Sequence, residues 1–157
     1  MDPALLSPSV AAARTERGYS VTATFLTAFF GGPLAAVFMH GLNSRFFGRW
    51  ARDQVLLAAA LLLAIGGVIG LAILRVRPDL APFAPGFFAD SSRVRIASRV
   101  LALLLWAALY LRLRPSYRAA ELMGGHRSGW RDGVICVITA ILLQFGLVML
   151  AIAVVRR

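Results

Sequence analysis

At 157 residues, with 59% hydrophobic and only 15% charged, the chain is too apolar for a water-soluble domain, where about 45–50% apolar and about 25% charged residues are usual. Its mean hydropathy of +0.75 leaves a surplus of apolar surface for which lipid is the simplest solvent. The net charge of +10 comes from 17 basic residues, all arginine, against seven acidic ones, and these arginines sit between long apolar runs. That placement suits anionic headgroups and argues against nucleic acid as a partner.

Residues 1–20 read as a polar tail carrying Pro3 and Pro8, and residues 21–157 as a single transmembrane domain. The start, Met-Asp-Pro, lacks the basic region and short apolar core of a signal peptide, so the first apolar run is expected to remain as a helix. That run, 21–42, is free of charge and roughly 33 Å long as a helix, enough for a hydrocarbon core of about 30 Å. The second span, 55–74, is almost purely Leu, Ala, Ile, Val and Gly.

The third span, 92–114, is less plain, because only 100–111 is continuously apolar. Asp90, Ser91 and Ser92 offer helix-capping residues, and Arg95 and Arg99 must snorkel if the segment is to cross. The fourth, 133–155, is again uncharged. These readings predict an all-α polytopic bundle of four transmembrane helices. The competing arrangement has three spans, with the third segment lying in the interface.

With four spans both termini lie on one side. Arginines divide almost evenly between the two sides, so the positive-inside rule does not decide the orientation. Loop character points one way. The connections 43–54 and 112–132 are studded with arginine (Arg45, Arg49, Arg52, then Arg112, Arg114, Arg118), whereas 75–91 is rich in Pro and Phe. This places the two basic loops in the cytoplasm against anionic lipid or an acidic neighbour, and both termini in the periplasm of a bacterial inner membrane.

Several motifs invite a chemical reading. In Gly31-Gly32-Pro33, Pro33 cannot donate to the carbonyl of Phe29, so the first helix should kink there. Either this is a hinge of the kind seen in transporters, or a static kink with Gly32 and Ala36 forming a small-residue packing face; lacking a second break elsewhere, the static kink is preferred. Gly66 and Gly70 form a GxxxG suited to close helix packing, within the chain or at an oligomer seam. Ala36 and His40 have the spacing that light-harvesting helices use to set histidine against bacteriochlorophyll magnesium. His126, expected on the same side, makes a bis-histidine haem geometrically conceivable. The ordinary reading is one interfacial histidine and one loop histidine, with no cofactor.

Gln144 and Thr139 in the last span, and Thr22, Thr24 and Thr27 in the first, suit hydrogen bonds to neighbouring helices or to their own backbone. No Asp or Glu lies within any predicted span, which argues against a proton- or cation-coupled carrier. The lone Cys136 is in an apolar run and permits no intramolecular disulfide. Glu121, His126, Arg127 and Asp132 share the third connection without matching a catalytic motif, so no enzyme is expected.

Tyr19-Ser20, then Ala28-Phe29-Phe30-Gly31-Gly32-Pro33-Leu34-Ala35, then Asn43, Arg45 and Gly48, with His126, Gly129 and Trp130 before the last helix, resemble a recurring arrangement in small multi-span bacterial inner-membrane proteins. The resemblance implies a multi-span inner-membrane protein and carries over no functional residue. By elimination the sequence points to an accessory or scaffold subunit of a larger membrane assembly. A pigment- or haem-binding subunit using His40 is the alternative, followed by a small oligomeric transporter.

Overall fold

The computed structural model describes residues 18–80, 87–88, 90–122 and 129–155. Four helices carry the fold: α1, Val21–Phe46; α2, Trp50–Val76; α3, Ser91–Leu122; and α4, Trp130–Val155. Each is long and apolar enough to cross a membrane, and no strand occurs among the described residues. The expected all-α four-helix bundle of a multi-pass membrane protein is therefore what forms.

Local chemistry sets the helix ends. Ser20 caps α1, its hydroxyl accepting from the backbone N–H of Ala23 at 3.2 Å. Helix α2 starts at Trp50, earlier than hydropathy alone places it, with Asp53 in its first turn where the helix dipole favours an acid. Beyond its other end, Arg77 grips Asp79 through three hydrogen bonds, which hold the Asp79 carboxyl below its ordinary pKa. Asp90 accepts from the N–H of Ser92 at 2.8 Å just ahead of α3. That helix continues past Pro115, beyond residue 114 where the predicted span ends, and the residues beyond it are held by tertiary contacts: Tyr117 meets the Phe47 ring edge-on at 5.4 Å.

The path of α1 corrects the simple picture of a straight span. Gly32 has φ +77° and ψ −165°, and the helix breaks there into arms 21–31 and 33–46. The two arms double back on one another. The backbone N–H of Tyr19 donates to the Asn43 side-chain carbonyl at 2.7 Å, and the rings of Tyr19 and Phe46 meet at 5.2 Å. In a continuous helix, residues 24 positions apart would be about 36 Å apart. Each arm is only about 16–21 Å long, too short to traverse a 30 Å core alone. Hydropathy could not reveal this, since two apolar half-spans score like one whole span.

Two further expectations change with it. Gly18 and Tyr19, assigned to the polar tail, are buried, so the packed domain begins at least as early as Gly18. Tyr19, the turn between α1 and α2, and the start of α4 all gather at one end of the bundle, as the bond from the Tyr19 hydroxyl to Asp132 shows. Val155, at the far end of α4, lies at the other end. The first and last described residues, Gly18 and Val155, therefore lie at opposite ends of the bundle.

The hairpin is the centre of the molecule. α1 packs on all three other helices, and half of its apolar window is buried, against 17% for α4, whose outer face is left to lipid. Leu34, Ala35 and Val37 of the returning arm meet Leu57, Ala60 and Ala64 of α2, Leu105 and Leu109 of α3, and Ala140 of α4. The buried positions of α2 deeper in the bundle are mostly small (Ala60, Ala64, Val68, Ala72, spaced by four), so the other helices can come close to its backbone.

Candidate functional site

Polar side chains converge where the hairpin closes. Asn43, fully buried, accepts from Tyr19 N–H and donates through Nδ2 to the Tyr117 hydroxyl at 2.7 Å. Thr24, also fully buried, hydrogen-bonds Tyr117, accepts from Trp106 Nε1 at 3.2 Å and donates to the carbonyl of Val21 at 2.7 Å. The Tyr19 hydroxyl donates to Asp132 Oδ2 at 2.5 Å. One asparagine thus ties both arms of α1 to α3, and one tyrosine ties the hairpin to α4.

A buried carboxylate sits beside this network. Asp53 is 3% exposed; it accepts from the Ser44 hydroxyl at 2.9 Å and lies 3.4 Å from Arg49 Nε and 3.7 Å from Arg112 Nε. Arg49 also donates through Nη1 to Ser116 Oγ at 3.1 Å. Burying a lone carboxylate is costly, so two guanidiniums and a hydroxyl are what let Asp53 stay there. The result is a polar knot linking all four helices. Its chemistry is that of fixed pairing: no group of three His, Cys, Asp or Glu able to hold a metal ion occurs among the described residues.

The basic residues singled out from sequence divide into two sets. Arg49 and Arg112 turn to Asp53, whereas Arg45, Arg52, Arg114 and Arg118 are exposed. Arg45 and Trp50 edge a lateral groove of about 1000 Å3 between the returning arm, α2 and α4, whose floor includes Phe38, Leu57 and Cys136. The interleaving of an arginine and a tryptophan at the rim of an apolar groove is the pattern of a headgroup-level anchor.

His40 lies one turn deeper than Asn43 and Ser44 on the same arm and is fully buried. Its Nδ1 bonds the carbonyl of Ala36 at 2.8 Å, leaving Nε2 without a hydrogen-bond partner. Ala36 is equally buried. His126 lies outside the described residues.

The glycine motifs also separate. Gly32 and Ala36 do not form a continuous face, because the helix breaks between them. Gly32 instead abuts Gln144, whose amide donates to the Gly31 carbonyl freed by the break at 2.7 Å. Among the described residues, a Cβ at Gly66 or Gly70 would meet no atom within 4 Å, while one at Gly67 would run into Leu101. Close packing within the chain thus belongs to Gly67, and the GxxxG pair opens outward.

Sequence reasoning named Tyr19 and Asn43 only among the residues that carry the resemblance, and did not single out Asp53 or Tyr117. One signal was available: polar pairs, Tyr19-Ser20 and Asn43-Ser44, flank a charge-free run with Gly-Gly-Pro at its middle. Compared with known proteins, the chain matches no family model, no curated sequence and no solved structure.

Proposed function

We propose that this protein is an accessory or scaffold subunit of a bacterial inner-membrane assembly, acting through helix and lipid contacts rather than through chemistry of its own. The observation that carries the reading is the outward-facing Gly66/Gly70 pair on α2. It is a close-packing surface with no neighbour among the described residues, flanked by Leu62 and Leu63 at 71% and 58% exposure. Lipid tails gain little from a glycine notch, whereas a second helix gains close backbone approach. The polar knot supports the same reading, because its members are occupied with one another and hold the bundle rigid for docking.

The test is purification of the protein from its native membrane in mild detergent at endogenous abundance. A second membrane protein should come down at fixed stoichiometry, and Gly66→Leu with Gly70→Leu should release it while leaving the bundle's thermal stability intact. A lone monomer, or a partner retained by the double variant, contradicts the proposal.

A further inference from the structure

The half-depth hairpin has a consequence for the opposite half of the bundle. Where a straight first helix would continue beyond Gly32, no described helix stands, and α2, α3 and α4 line a cavity of about 370 Å3. Its wall carries Arg75 from α2, Ser91, Arg95 and Ser98 from α3, and Gln144 from α4, the residue that also bonds the hairpin tip. These are hydrogen-bond donors, and among the described residues no carboxylate lines the space.

The charges around it do not balance within the chain. Two acids lie at this end of the bundle: Asp79 is held by Arg77 at 2.9 Å and Asp90 by Arg93 at 3.5 Å. The neighbouring residues 81–86 and 89 include no charged residue to add. Arg99 lies over the Phe29 ring at 5.1 Å, at the level of the hairpin arm. Among the described residues Arg75 and Arg95 have no acidic partner. Guanidiniums at the edge of a bilayer are stabilised by pairing, and their planar fork fits a phosphate oxygen pair.

We propose that this cavity binds one phosphate group, with Arg75 and Arg95 as its charge partners and Ser91, Ser98 and Gln144 as neutral donors. A phospholipid headgroup reaching in laterally and a free phosphate entering from the aqueous side share this chemistry. Both are tried.

The experiment uses the full chain purified in an uncharged detergent and titrated separately with dioctanoyl phosphatidylglycerol and with inorganic phosphate, following the melting temperature. At least one probe should raise it saturably. Arg75→Gln with Arg95→Gln should weaken that binding at least tenfold, Arg75→Lys with Arg95→Lys should restore much of it, and Arg114→Gln with Arg118→Gln, at the other end of α3, should not affect it. A response to the lipid alone assigns a headgroup, and a response to inorganic phosphate assigns a free anion. Saturation by neither probe, or binding indifferent to the loss of Arg75 and Arg95, overturns the proposal. Both arginines are exposed in this structure, so the variants are expected to fold, and an unchanged melting temperature without ligand verifies it.

Discussion

Gly32 is the residue on which the architecture turns. Its φ of +77° lies where side chains with a Cβ are strained, and an added Cβ would stand 2.8 Å from Gln144 Nε2. Gly32→Ala should therefore destabilise the bundle by about 1–3 kcal/mol in detergent unfolding. Combining it with Gln144→Ala should cost less than the two single changes together, since the clash disappears with the amide. Strict additivity would mean that the two residues do not touch. Asp53 is the second decisive residue. Asp53→Ala leaves Arg49, mostly buried, without its carboxylate and removes the acceptor of Ser44, while half-exposed Arg112 can turn to water. After allowance for that screening, a loss of about 2 kcal/mol is expected, and a change below about 0.5 kcal/mol would show the knot to be ornamental.

At the scale of the elements, the glycines sort by what faces them. A Cβ at Gly31 would run into Ala35 Cβ of the returning arm and stand 3.1 Å from Val137 Cα, so Gly31→Ala forces apart both the two arms of α1 and the contact of α1 with α4. A cost of about 1–3 kcal/mol should appear in the same unfolding assay. Gly66→Ala and Gly70→Ala meet nothing and remove backbone freedom, so the isolated protein should be unchanged or slightly more stable. Equal destabilisation by all three would contradict the packing described. Much of this level was legible in the sequence: the four apolar runs gave four helices, and Asp90 stands ahead of α3 as its composition suggested. The folding back of α1 was not, because hydropathy registers how much apolar length a segment has and not whether it reverses. The Gly-Gly-Pro break was visible, but a kink and a reversal share that signature. Only the tertiary partners of Asn43 and Gln144 distinguish them.

For the whole molecule, the arrangement is a central re-entrant hairpin enclosed by three long helices, closed at one end by a polar knot and open at the other as an arginine-lined cavity. The sequence read the basic loops as one set, and the division of labour within them was hidden. Arg49 meets Asp53 at the local i,i+4 spacing, whereas Arg112 reaches it only because α3 packs at the same end as the start of α2, a long-range juxtaposition that no local spacing encodes. The path of α1 brings both of its ends to one end of the bundle and leaves the two described chain ends, Gly18 and Val155, at opposite ends of it.

Sidedness is accordingly the measurement that bears most directly on this account. In a Cys136→Ala background, Thr22→Cys, Arg45→Cys and Asp79→Cys place single thiols at exposed positions beside the hairpin entrance, its exit and the far end of α2. A membrane-impermeant maleimide applied to one face of the native membrane should label the Thr22 and Arg45 positions together and the Asp79 position only from the other face. Labelling of the Thr22 position together with Asp79, and apart from Arg45, would mean that the first helix runs straight across, and the hairpin would be wrong.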